Sequence, residues 1–227
     1  MSLSGLRTIA AGVFLIIFCM CFLNCARFSN SAKVPDAETI RLYVRASDAY
    51  AQGRFAEVTE ILHLQKNFMP ALVLRAKAEY FNGDLEKAEK TCRRAIKLRP
   101  SSSESRLYLA RILRDKGDLS GAAKEAESLL ADNPQDIRAL RFSAELASAL
   151  GKFDEAVAFL DRACEFSAES AMVLLDRARL RWIAGINDVS ALQAALEDLS
   201  RAKAMLPWNT PLLRSISNLE NLINEVM

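Results

Sequence analysis

An all-α solenoid is the fold the sequence predicts, and three observations predict it. Ala, Leu, Arg, Glu and Lys, which are strong helix formers, dominate the chain from Ala37 onward. Gly83, Gly117, Gly151 and Gly185 recur at one constant interval, and self-similarity of that length marks stacked helical units. The 8 Gly and 6 Pro in 227 residues are too few for an all-β chain, which needs a turn about every ten residues.

Charge and side-chain inventory narrow the function. Thirty Lys and Arg stand against 28 Asp and Glu, a net of +2, so no global field draws in nucleic acid, which is not expected as a partner. His63 is the sole histidine, which removes Ser-His-Asp, Cys-His and multi-His zinc arrangements. It is expected on the surface or at a packed edge. No Gly-rich phosphate loop, clustered carboxylates or Cys-x-x-Cys beyond the N-terminal apolar run is present. No catalytic residue, metal or cofactor is therefore expected, and the chain is not read as an enzyme.

Residues 1–24 read as an export signal or anchor: Arg7 without an acidic neighbour, then an uncharged apolar run from Ile9 to Leu23. That run is short of the roughly 20 residues a membrane-crossing helix needs. Phe22-Leu23-Asn24-Cys25 resembles the lipobox of bacterial lipoproteins, which implies acylation of Cys25. Asn24 and Phe22 depart from the preferred residues, and an uncleaved single span and an ordinary cleaved signal share the same pattern. All three readings place the chain in a bacterial cell envelope, membrane-anchored in two of them and facing the periplasm or exterior. Residues 25–36 are small, polar and aperiodic, as a tether is.

The repeat occupies residues 37–209, with units at 39–70, 69–102, 103–136, 137–170 and 171–209. Alanines stand seven residues before each glycine of the series (Ala76, Ala110, Ala144, Ala178) and five after the first three (Ala88, Ala122, Ala156). Small residues at these points let paired helices approach closely, and replacements at Glu125 are expected to be nearly neutral. Pro100 and Pro134 end second helices. Asp84 and Asp118, each after a turn glycine, read as N-caps.

Three irregularities are expected. The first unit (Ala46, Gly53, Leu62, Pro70) has Val58 and Gln65 in place of alanines, and Gly53 stands closer to Gly83 than the regular interval allows. About one helical turn is thus missing near Asn67–Pro70. The fourth unit has Ala168 where Pro belongs, so the chain from Ser167 to Ser170 is expected to run more continuously than other boundaries. In the last unit Ala195 follows Gly185 by ten residues instead of five, an insertion read as a longer loop within 186–193. Residues 210–227 form a capping helix, with Leu212, Ile216, Leu219, Ile223 and Val226 on one face and Ser215, Asn218, Asn221 and Asn224 on the other.

The combination of small residues, Gly and Pro in one 34-residue frame resembles the tetratricopeptide repeat. That resemblance implies a right-handed superhelix of helix-turn-helix units whose first helices, here termed A, line a concave peptide-binding face. Carried onto this chain, the family's groove positions are filled by Tyr43, Tyr50, Lys77, Tyr80, Arg111, Arg114, Arg138, Arg141, Arg179 and Trp182. Aromatics stand at both ends with arginines between, which suits an acidic peptide or protein partner. The expected function is a membrane-tethered interaction scaffold. The alternative is a ligand-binding accessory subunit of an envelope transport or secretion system, with a small acidic ligand among the same arginines. Cys92 and Cys164 fall on packing positions two repeats apart and are expected unpaired.

Overall fold

The computed structural model describes residues 35–167, 170–208 and 210–227. Cys25 and the whole N-terminal apolar run lie outside the described residues, as do Ala168, Glu169 and Asn209. The chain divides at Ile40: residues 35–40 are the described part of one unit, and residues 41–227 make up the other. In the first, the Thr39 amide donates to Asp36 Oδ1 (2.6 Å), which opens the first helix.

Among the described residues there are eleven helices and no strand. They are α1 Ala37–Ala51, α2 Phe55–Leu62, α3 Met69–Phe81, α4 Leu85–Leu98, α5 Ser103–Asp115, α6 Leu119–Asp132, α7 Ile137–Ala149, α8 Phe153–Phe166, α9 Ala171–Ala184, α10 Val189–Ala204 and α11 Pro211–Val226. The fold is an all-α solenoid of helix-turn-helix pairs closed by α11, as the glycine period predicts.

The packing follows the small residues. Ala46, Ala88, Ala110, Ala122, Ala156 and Ala178 are fully buried, and Ala76 and Ala144 nearly so. They let each pair close tightly and pass one apolar strip from repeat to repeat. Four of the turn glycines hold positive φ, from 72° at Gly53 to 86° at Gly117. At each, two amides reach back to the preceding helix, as when Gly83 N donates to Tyr80 O and Asp84 N to Glu79 O. That left-handed cap is open to glycine at least cost.

Gly185 departs from this rule. Its φ is −114°, and α9 runs up to it without the left-handed cap. Its need for glycine is one of space, because a Cβ there would stand 2.3 Å from the Ala191 Cβ and 3.0 Å from the Arg181 carbonyl. The insertion that follows is not mainly a loop either. The turn covers residues 185–188, and α10 starts at Val189, so most of the added residues form an extra helical turn ahead of Ala195.

The boundary after the fourth unit is as sharp as its neighbours. α8 ends at Phe166 and α9 begins at Ala171, the same gap that separates α4 from α5 and α6 from α7. The missing proline is compensated by Ser170, whose Oγ accepts from Val173 N (3.4 Å). Ser102 and Asp136 cap α5 and α7 in the same way, so the A-helix cap recurs once per repeat over these three units. Asp118 caps α6 through Gly121 N (2.8 Å). Asp84 makes no such bond; its carboxylate accepts from Asn82 and Lys87 instead.

Two other expectations change. Glu125 accepts from Arg106 Nη1 (2.9 Å) and is only 20% exposed at its side chain, because Arg106 on α5 crosses to it. Val226 is exposed, so the apolar face of α11 is closed by Ile216, Leu219 and Ile223, buried against α9 and α10. α2 is short at 8 residues, and the linker after it is held by Arg94 Nε on the Lys66 carbonyl (2.7 Å). His63 is exposed at the end of α2, with its Nδ1 2.6 Å from the Glu60 carbonyl oxygen. Cys92 and Cys164 are free thiols.

Candidate functional site

The A helices of successive repeats, α3, α5 and α7, touch one another directly, whereas α4, α6 and α8 make the larger contact with the next repeat, through its A helix. The sequence-predicted groove residues all lie on A helices, α1, α3, α5, α7 and α9.

At the N-terminal end aromatic rings dominate. Tyr50 meets Phe55 and Phe81 edge-on, and Phe55 and Phe81 stack at 5.2 Å. Tyr80 lies edge-on to Tyr108 at 5.9 Å. Lys77 is placed over both Tyr50 (5.7 Å) and Tyr108 (5.4 Å) while its Nζ donates to Glu104 (2.7 Å). Burial, with the nearby Tyr108 and Glu104, pushes the Tyr50 phenol up to about 12. Tyr43 lies edge-on to Phe68 and borders a cleft of about 340 Å³ with Val73, Lys77 and Glu104.

The arginines further along are mostly engaged by carboxylates of their own face. Tyr80 OH donates to Asp115 (2.6 Å), which also accepts from Arg114 Nε, while Arg114 Nη1 reaches Glu145 (2.8 Å) on the next A helix. Arg141 donates twice to Asp176 (2.8 and 2.6 Å), and Arg179 stands 3.8 Å from the same carboxylate. These three residues, with Glu145, Ser148 and Ile183, border a second cleft of about 280 Å³. Arg138 is exposed, with Asp136 at 3.3 Å. Arg111 lies over the Tyr108 ring (5.5 Å) and has no carboxylate partner among the described residues. Trp182 is half-buried against the C-terminal core, and its indole N–H finds no acceptor. Of the predicted residues, Tyr43 and Lys77 thus border one cleft and Arg141 and Arg179 the other, and most of the predicted cations are neutralised in place.

Sequence reasoning missed a charge network between α8, α9 and α10. Arg177 donates Nε (2.8 Å) and Nη2 (2.5 Å) to Asp198 and Nη1 to Asp161 (2.8 Å), and Arg181 Nη1 also reaches Asp198 (2.8 Å). Burial lowers the Arg177 pKa, and the bonds to Asp198 and Asp161 outweigh it, so the pKa stands raised. In the second unit Glu79 is buried in the same manner, accepting from Arg75 Nε and Thr91 Oγ1. A signal was present. Arg75 and Arg177 occupy the place filled by Leu109 in the third unit, and Glu79 and Arg181 the place filled by Leu113.

No group of three or more His, Cys, Asp or Glu side chains suited to a metal converges among the described residues. No described helix is long and apolar enough to cross a membrane.

Two tetratricopeptide-repeat family profiles match, at residues 73–137 and 113–174. No curated protein matches the sequence significantly. Among solved structures, TTC0263, a thermophilic TPR protein of Thermus thermophilus, superposes with a TM-score of 0.67 at 18% identity over 81% of this chain and 98% of that one. pilF of Pseudomonas aeruginosa gives 0.64 at 11% identity, over 83% and 85% respectively. MamA of Desulfovibrio magneticus RS-1 gives 0.59 at 15% identity, over 75% and 96%. At such identities the likeness speaks for the fold alone.

Proposed function

We propose that this chain is a non-catalytic scaffold, tethered to a bacterial envelope membrane, that takes a protein or peptide partner along the inner face of its A helices. The observation that supports the reading most is the face itself: four successive repeats present aromatic rings, arginines and two open clefts on one side, joined by contacts that cross repeat boundaries. Tetratricopeptide repeats serve as interaction scaffolds, and large aromatics with arginine are the side chains that anchor interfaces. Arg111, which lies over the Tyr108 ring and has no carboxylate partner among the described residues, favours an acidic partner, and nothing in the charge balance calls for nucleic acid.

Capture by the immobilised full chain tests the groove. Val73→Glu with Ile183→Glu, one in each cleft lining, should abolish capture of the partner, whereas Lys90→Glu and Lys124→Glu on the second helices should not. Capture that survives the first pair and fails with the second places binding on the other side of the stack. The tether is tested separately: fatty-acid labelling should mark the natural sequence and not Cys25→Ser, and a labelled mutant moves the lipid elsewhere.

A further inference from the structure

The first cleft contains a cation that does not belong to an A helix. Its apolar wall is Met69, Pro70, Val73 and Leu74 along α3, and its charged lining is Lys77, Glu104 and Arg99. Lys77 and Glu104 are committed to each other at 2.7 Å, and the lysine also lies over the Tyr50 and Tyr108 rings. Arg99 has no carboxylate partner among the described residues.

The backbone of Arg99 is nonetheless fixed. It closes α4, where its amide donates to the Ala95 carbonyl (2.9 Å) and its carbonyl accepts from the Ser102 amide (3.0 Å). Arg106 Nε, on the Pro100 carbonyl (3.2 Å), braces the same loop. The guanidinium is thus presented to the cleft from an anchored turn between α4 and α5. Groove positions carried over on A helices alone do not find it.

From this we infer that Arg99 is the seat for an Asp or Glu side chain of a partner peptide, whose adjacent apolar residue packs on the α3 wall. The inference rests on the groove reading above and names the side chains that the first cleft takes. Lys77 and Glu104 cancel, so the lining carries one uncompensated positive charge and matches one carboxylate. A phosphate dianion would set its second charge against Glu104. The guanidinium fork takes a carboxylate through two parallel N–H bonds. At about 340 Å³ the cleft lies at the small end of the roughly 300–1,000 Å³ of sites that enclose a whole ligand, which suits side chains of a longer peptide. The second cleft offers no such seat, because its Arg141 and Arg179 are matched by Asp176 and Glu145 in the same lining.

The probes are rhodamine-labelled hexapeptide amides, randomised at three positions without Asp or Glu, around a fixed core of Leu-Glu-Leu, Leu-Gln-Leu or Ser-Glu-Ser. Each pool is titrated by fluorescence anisotropy onto the full chain at low salt. The Leu-Glu-Leu pool should bind about tenfold more tightly than either of the others, the discrimination expected of one charge-assisted bond or of one buried apolar side chain. Arg99→Gln should remove the preference for Glu over Gln. Lys97→Gln, the same change of charge at an exposed residue outside the cleft lining, should retain it, and melting curves confirm that each variant folds. Equal binding of the pools, binding of none, a preference that outlasts Arg99→Gln, or one that Lys97→Gln also removes overturns the assignment. Displacement of the Leu-Glu-Leu pool by sodium hexanoate at equal concentration also overturns it, in favour of a free organic acid. If Val73→Glu with Ile183→Glu abolishes partner capture while the peptide preference is absent, the groove stands and this seat within it does not.

Discussion

Asp198→Ala is the sharpest test of what holds the C-terminal repeats. Asp198 is 2% exposed and accepts three bonds, two from Arg177 and one from Arg181. Its removal leaves Arg177, itself 8% exposed, with Asp161 as its one remaining carboxylate, and that side chain is 47% exposed. Breaking a buried pair by deleting one member costs roughly 3–5 kcal/mol, because the survivor stays charged and out of water. Here Arg181 and Asp161 both reach solvent and already lie 3.4 Å apart, so they can re-pair. The expected loss is therefore at the lower end, about 3 kcal/mol. The companion Arg177→Leu with Asp198→Leu removes both charges, and the third repeat places Leu109 where Arg177 stands. That double variant should fall within about 1 kcal/mol of the parent. Urea unfolding followed by Trp182 fluorescence reports on the region, in a Trp208→Phe background because Trp208 is 87% exposed. A single variant that costs no more than the double would refute the claim that paired charge, and not bulk packing, joins α8, α9 and α10.

The turn glycines separate two mechanisms. Gly117→Ala meets no neighbour but must hold φ at 86°, and should cost roughly 1–2 kcal/mol in a urea melt that no second substitution relieves. Gly185→Ala should be destabilising through its clash with Ala191, and Gly185→Ala with Ala191→Gly should recover most of the loss. Ala122→Leu should cost roughly 1–3 kcal/mol by overpacking α6 on α5, whereas Lys124→Leu, on the exposed side of α6, should stay within about 0.5 kcal/mol. Tyr50 has an ordinary value of 10.0 and a folded value near 12, so folding favours its neutral form. The stability it contributes is complete below pH 10 and is lost as pH rises towards 12. Tyr50→Phe should accordingly flatten the alkaline limb of a melting-temperature profile, and an unchanged limb would place the phenol in open water.

The elements that were legible in the sequence are those governed by backbone and volume. Gly83, Gly117 and Gly151 announce positive φ because their period leaves no other role for glycine at those points, and Ala88, Ala122 and Ala156 announce close helix contact by being small where a helix would otherwise bury a larger residue. Gly185 shows where that logic fails. The same residue type at the same interval answers to space, because the helix after it starts one turn early and sends Ala191 across. Charge was harder to place for a related reason. An arginine on an A helix can face the groove or turn to a neighbour, and the choice depends on whether a carboxylate stands at the right offset in the next repeat. Arg114 finds Glu145 at 31 residues and Arg141 finds Asp176 at 35, so neither is a free cation. Arg111 finds no carboxylate among the described residues and lies over the Tyr108 ring instead. The unit of meaning for charge in this chain is thus the pair of positions across a repeat boundary, and a reading that takes each arginine alone counts more free cations on the face than the fold leaves there.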